Sequence, residues 1–252
     1  MSMDSFCADD GEKIHLKISG NGPPLVLLHG WTSTHRDWNP FLTAFEARHR
    51  VFRWDARGHG GHPLVTRSIP SAPRMARDLH NLLDHYGLEK AVVAGHSMGA
   101  LTLWQYLRDF GEERLSHLVI IDQSPRLLTD DNWKNGIYGD FDHHQNAAFI
   151  DALERDFAEA LLRLVAFGHN AKARAAYLDN TAGMVSARQR LQSLAPRPLI
   201  DCWASLSAAD YRDVLAGITL PALLVYGGAS NFYSTATARY VRDHIAGARL
   251  HI

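Results

Sequence analysis

The chain has 252 residues, 46% of them hydrophobic, enough apolar material for one fairly large domain with a central sheet and no need of a second core. Its 26 basic and 27 acidic residues leave a formal net charge of -1 with no long block of either sign. That balance gives no footprint for nucleic acid or an anionic membrane, and a small molecule is the expected partner. Cys7 and Cys202 stand far apart in no metal-like spacing, the start "MSMDSFCADDGEK" is too polar for a signal peptide, and no apolar run approaches a membrane span. A reduced, cytoplasmic protein is expected.

In chain order, "KIHLKISG" (13–20) alternates like an edge strand, and "PPLVLLHG" (23–30) is a continuous apolar run, as a strand buried on both faces would be. "HRVFRWDARGHG" (49–60) is a further strand entering a glycine-rich loop. "SAPRMARDLHNLLDHYG" (71–87) is a helix with a serine at its start and a stopping glycine. A short strand, Ala91 to Ala94, runs into the helix "MGALTLWQYLR" (98–108), followed by the strand "LSHLVIID" (115–122) and a long helical stretch from about 125 to 216. The chain closes with "PALLVYGG" (221–228), a helix at 235–247, and "ARLHI" (248–252). Strands alternating with helices predict an α/β fold with a mostly parallel, doubly wound sheet, whose functional edge is formed by the carboxyl ends of the strands.

On that edge "AGHSMGA" places Ser97 between Gly95 and Gly99, where a strand must turn sharply into a helix and side chains at the flanking positions would crowd the turn. A serine hydroxyl becomes a nucleophile only with a base to take its proton and donors for the oxyanion it creates. The turn "HGW" (29–31) after the earlier strand can aim the backbone N–H of Trp31 at the point served by the N–H of Met98, giving the two donors.

His29-Gly30-Trp31, "DARGHG" (55–60) and Gly95-His96-Ser97-Met98-Gly99, in that order and spanning nearly the whole chain, resemble the α/β-hydrolase superfamily. "HGWTSTHRDW" and "GHSMGA" are most similar to the small bacterial aryl esterases and the cofactor-free haloperoxidase or perhydrolase group. The resemblance implies a Ser-His-Asp triad with acid and histidine downstream of the serine, and no cofactor. It fixes a mechanism class and not a substrate.

Residues 125–205 lie where that superfamily inserts its lid, which divides the chain into a first core part (1–124), a small helical cap (125–205) and a second core part (206–252). Within the cap "FIDALERDFAEALLRLVAFG" (149–168) has the apolar stripe of an amphipathic helix packed over something apolar. Trp133, Phe167 and Trp203 are candidates to line a pocket beneath it, with His29 and His35 bordering its mouth, so a medium-sized, fairly apolar substrate is expected. "DFDHH" (140–144) finds no further ligands at a matching spacing and reads as a solvated loop, so no metal is expected.

Two departures from the family pattern stand out. Its acid usually follows the seventh strand, but the matching "VYGGASNF" carries Ser230 there; one strand earlier, "VIIDQSP" ends in Asp122, at the carboxyl end of the strand beside the elbow strand. Some members, including cofactor-free quinolone dioxygenases, place the acid there, whereas in others an aspartate at that point is structural. The histidine is the second departure, because the family places it after the eighth strand and the sequence stops on that strand; His251 lies within it and His244 in a helix. The base is expected beyond Ile252, and a chain ending at Ile252 is expected to be inert. The expected activity is hydrolysis of a carboxylic ester or lactone through a serine acyl-enzyme. The alternatives are a cofactor-free dioxygenase acting on an aromatic hydroxy-heterocycle, or a non-catalytic binding protein.

Overall fold

The computed structural model describes residues 3–252. Among them eight strands form one sheet in the order β1-β2-β4-β3-β5-β6-β7-β8. β1 (Asp4–Cys7) and β2 (Lys13–Ser19) pair antiparallel, and β2 lies antiparallel on β4 (Arg50–Asp55). From β4 onward every pairing is parallel, through β3 (Pro24–Leu28), β5 (Ala91–His96), β6 (Leu115–Ile121), β7 (Ala222–Val225) and β8 (Arg249–His251). β1 is the strand that sequence patterning misses: its short polar run buries little besides Phe6, and pairing with β2 is what makes it extended.

The crossovers carry a 3-10 turn (His35–Phe41) and α1 (Leu42–Glu46) after β3, α2 (Ala72–His85) after β4, and α3 (Met98–Phe110) after β5. Residues between β6 and β7 form α4 (His143–Arg155), α5 (Phe157–Ala166), α6 (Ala171–Leu178), α7 (Ala182–Gln192), α8 (Pro196–Ala208) and α9 (Arg212–Leu215); α10 (Thr235–His244) joins β7 to β8. The side-chain period of two splits β3 between both faces of the sheet. Val26 and Leu28 join the large core under α2 and α3, while Leu25 and Leu27 join Trp38, Val51 and Ala94 on the other face.

The expected single helix over 149–168 is two helices. Asp156 adopts an extended conformation and its carboxylate accepts from the Glu159 N–H at 3.0 Å, so it caps α5 and ends α4. "DFDHH" likewise starts a helix: Asp142 and Gln145 form a capping box, and His143 and His144 are exposed in the first turn of α4. No helix among the described residues is long and apolar enough to cross a membrane.

Candidate active site

Ser97 stands between β5 and α3 at φ 50°, ψ −115°, a conformation that costs energy for a residue with a Cβ and persists only where its surroundings fix it. Those surroundings are backbone. The Ser97 N–H donates to the Ile121 carbonyl on β6 at 3.1 Å, and the Ser97 carbonyl accepts from Ala100 N–H at 2.8 Å. A Cβ on Gly95 would come within 2.5 Å of the Gly99 carbonyl, and one on Gly99 within 2.3 Å of the Leu28 carbonyl oxygen. The glycine spacing is therefore a packing requirement between β5, α3 and β3.

Beside Ser97 the end of β3 turns through Gly30, whose missing Cβ would lie 3.0 Å from His96 Nδ1 and 3.5 Å from Ser97 Cβ. Trp31 follows. Its indole N–H donates to the Leu199 carbonyl on α8 at 2.9 Å, and its ring packs against Trp203 at 4.8 Å and edge-on to Phe157 at 5.9 Å. Met98 opens α3, so its N–H belongs to the first turn of a helix, where the amides have no partner within the helix and the dipole favours negative charge.

Asp122 sits just past β6 at φ 48°, its N–H donating to the Val225 carbonyl on β7 at 2.9 Å. Its carboxylate accepts from the Ser230 hydroxyl at 2.7 Å and from the Gly227 N–H at 3.3 Å. Ser230, standing where the family pattern leads one to look for the acid, is thus hydrogen-bonded to the carboxylate that the adjacent strand supplies. Its own oxygen accepts from the amides of Phe232 and Tyr233, each at 3.3 Å, so both oxygens of this pair are held.

Neither downstream histidine reaches this cluster. His251 is exposed on β8, and its carbonyl accepts from the Tyr226 N–H. His244 stacks on Tyr240 at 3.9 Å and bonds that residue's carbonyl. The histidine that lines the cavity with Ser97 is His96. Burial pushes its pKa down, while Asp122 and Asp37 pull it back up. Strand alternation could have found it, since Gly95 faces α3 and His96 must face the other way.

Ser97, Asp122, Trp31 and Met98 border one cavity of about 750 Å³. Leu161, Leu164 and Val165 from α5 and Trp203 from α8 give it apolar walls, and the exposed Arg36, Asp37 and Arg190 give it a polar part. Arg190, on α7, donates to the Thr32 carbonyl at 3.0 Å and so reaches from the inserted helices to the loop that follows Trp31.

Of the five residues expected to line a pocket, the structure puts Trp203 there and the other four elsewhere. His29 is 1% exposed beneath the loop, Nδ1 2.7 Å from the Gly30 carbonyl and Nε2 accepting from Ala56 N–H at 3.0 Å. His35 turns inward to Asp55, which its backbone N–H and ring meet at 2.7 and 2.9 Å. Trp133 is buried edge-on against Tyr240 and donates to the Arg126 carbonyl at 3.0 Å. Phe167, beyond the end of α5, is 40% exposed on the outer surface against Tyr177. An aromatic residue in a lid segment satisfies its hydrophobic demand equally well on an outer seam, and position in the sequence does not choose between the two.

"DARGHG" is a framework loop. Gly60 has φ 69° and a Cβ there would lie 2.5 Å from the Asp55 carboxyl carbon, two reasons for glycine, and the buried Arg57 pairs with Asp78 at 2.6 Å and with Asp10 at 2.9 Å. Among the described residues no group of three or more His, Cys, Asp or Glu is placed to hold a metal ion.

A family model described as alpha/beta hydrolase fold matches residues 23–250. The 3-oxoadipate enol-lactonase 1 of Acinetobacter baylyi is 27% identical over 241 residues, covering 93% of this chain and 82% of that protein. The pimeloyl-[acyl-carrier protein] methyl ester esterase of Aeromonas hydrophila is 29% identical over 236 residues, covering 91% and 86%. The crystal structure of a bromoperoxidase from Bacillus anthracis superimposes with a TM-score of 0.85 at 22% identity, over 99% of this chain and 90% of that one.

Proposed function

The chain belongs to the α/β-hydrolase fold family, and on that premise we propose that it hydrolyses a carboxylic ester or lactone through a serine acyl-enzyme. Ser97 attacks the carbonyl, the backbone N–H groups of Trp31 and Met98 receive the oxyanion, and the reading requires an imidazole beside Asp122 to take the Ser97 proton. Water then releases the acid by the same route. The observation that carries this reading is Ser97 itself, held in a strained backbone conformation at the wall of a cavity that Asp122 also borders. Among the described residues no histidine is hydrogen-bonded to Asp122, whose carboxylate is met by Ser230 and Gly227.

Residues 125–205 are read as a cap, supported by the walls that α5 and α8 give the cavity. The apolar character of those walls supports a medium-sized, fairly apolar acyl or alcohol group. The names of the lactonase and methyl ester esterase relatives agree with the reaction class.

The natural protein should turn over short p-nitrophenyl esters and take up one fluorophosphonate on Ser97, located by peptide mass spectrometry. Ser97→Ala should abolish labelling and cut turnover by about 10⁵-fold with an unchanged circular dichroism spectrum. Retained esterase activity in that variant would sink the acyl-enzyme. A second reading, a cofactor-free oxygenase, is favoured by the acid's place just past β6, at Asp122. It requires oxygen uptake with an aromatic hydroxy-heterocycle that survives Ser97→Ala.

A further inference from the structure

We propose that Arg36 and Arg190 form an anion subsite in the cavity, so that the preferred ester or lactone carries a carboxylate at the end remote from the scissile bond. The inference rests on the reading of the protein as an ester or lactone hydrolase and narrows its substrate class. Among the described residues four charged side chains border the cavity: Arg36, Asp37, Asp122 and Arg190. The two carboxylates are already engaged. Asp37 accepts from the Ser33 hydroxyl, and Asp122 from Ser230 and Gly227. Neither guanidinium has a carboxylate partner among the described residues.

One loop brings both cations to the cavity. Arg36 opens the 3-10 turn that follows β3, its N–H donating to the Thr34 hydroxyl at 3.1 Å. Arg190 reaches the same loop from α7 and uses one donor on the Thr32 carbonyl at 3.0 Å; a guanidinium has five N–H donors, so most remain for a ligand. On the same helix Arg188 meets Glu159 at 3.3 Å, whereas Arg190, on the cavity side, meets no acid. The guanidinium fork matches the two oxygens of a carboxylate. Two guanidinium groups against the Asp37 carboxylate leave one positive charge, which a single carboxylate balances and a phosphate dianion exceeds. From the Trp31 N–H to the Thr32 carbonyl the chain spans at most about 7 Å. The Arg190 guanidinium thus stands within reach of a medium-length chain attached at the oxyanion site, along the apolar wall of Leu161, Leu164 and Val165.

Paired esters read the subsite. The p-nitrophenyl monoester of suberic acid is compared with p-nitrophenyl octanoate for an anion on the acyl side, and p-carboxyphenyl octanoate with p-carbamoylphenyl octanoate for one on the alcohol side. The ratio of kcat/KM within a pair, taken between natural protein and variant, cancels the intrinsic reactivity of the esters. In one of the pairs Arg36→Gln and Arg190→Gln should each lower that ratio about fivefold, through KM, and Asp37→Asn should raise it about threefold. A purely structural role for Arg190, through its bond to Thr32, would slow both esters of a pair alike. Unchanged ratios in both pairs overturn the proposal, and Arg36→Gln keeps it testable if Arg190→Gln does not fold, because its side chain has no partner to lose.

A binding readout stands apart from turnover. Trp31 and Trp203 border the cavity, so their fluorescence reports its occupancy. Monomethyl suberate should bind Ser97→Ala about tenfold more tightly than dimethyl suberate does. Adding Arg36→Gln should lower that advantage about fivefold, and 1 M salt, with a screening length of about 3 Å, should lower it as well. Equal affinity for the two esters overturns the subsite. Hydrolysis of neutral esters with no preference for the anionic partner also overturns it and leaves the acyl-enzyme standing; if the natural protein hydrolyses no ester, the acyl-enzyme fails while the titration still decides the subsite.

Discussion

The cavity has two walls made in different ways. On the sheet side, Ser97 and Asp122 are set by main-chain bonds to neighbouring strands, and the turn at Ser97 by glycines whose Cβ atoms would collide with backbone. On the opposite side α5 and α8 supply packed apolar side chains, while the helices between them in sequence hold little, α6 burying no residue and α7 Leu191 alone. Leu178 at the end of α6 is 67% exposed. Groups that stabilise a transition state must be held within a fraction of an ångström, whereas a surface that selects a substrate can be looser. Rigidity is concentrated where the proposed chemistry takes place.

The sharpest way to break this contrast is through the acid. Asp122→Asn should cost about 10³- to 10⁴-fold in turnover, since an amide cannot stabilise an imidazolium. Ser230→Ala removes one hydrogen bond to the same carboxylate and should cost about fivefold, equivalent to about 1 kcal/mol. Ser230→Asp, built into Asp122→Asn, should restore part of the loss, because position 230 already lies within bonding distance of the original carboxylate. Ester turnover by all four proteins, with circular dichroism, is the measurement. Near-parental activity in Asp122→Asn would reduce that residue to a strand-end brace.

Next in size is a pair of glycines. Gly99→Ala drives a methyl into the Leu28 carbonyl and should destabilise the fold by about 3 kcal/mol or prevent folding. Gly183→Ala, in α7, meets nothing nearer than the Thr181 hydroxyl at 3.9 Å and should stabilise by about 0.5 to 1 kcal/mol. Urea unfolding of both decides it, and equal effects would erase the distinction between the turn at Ser97 and α7.

The sheet side should also carry an acid sensitivity. Burial, and behind it the neighbouring His29 ring, push His59 down to about 3. The unfolded chain then binds a proton near pH 6.5 that the folded chain refuses until about pH 3. This contribution is therefore complete above pH 6.5 and is lost progressively as the pH falls, by about 2 kcal/mol at pH 5. His59→Gln should flatten the difference in urea midpoint between pH 7 and pH 5, and an unchanged slope would mean that other groups dominate.

The strands, the glycine-flanked turn at Ser97 and the turn after β3 were legible because each is a local pattern: an apolar run, a glycine spacing, a turn. The helices between β6 and β7 needed a finer reading. "DFAE" carries an N-cap signal in Asp156 with Glu159 three residues on, and the apolar stripe running through it concealed the break between α4 and α5. Partnerships across long stretches of chain were not legible. That Ser230 bonds Asp122, that Ala56 fixes the ring of His29, and that Trp133 and Phe167 pack away from the cavity are all consequences of which strands and helices become neighbours.

The two bonds that tie the loop after β3 to α7 and α8 have a bearing on how the sequence can drift. Trp31 donates its indole N–H to the carbonyl of Leu199, and Arg190 donates its guanidinium to the carbonyl of Thr32. Each tie therefore has one end written in a side chain and the other in the main chain. Mutation can change the side chains at 32 and 199 without touching either bond, but it cannot replace Trp31 or Arg190 without losing one. A foreign segment in place of α7 and α8 could offer Trp31 a main-chain carbonyl whatever its side chains, but would forfeit the donor for Thr32 unless a side chain such as arginine came with it.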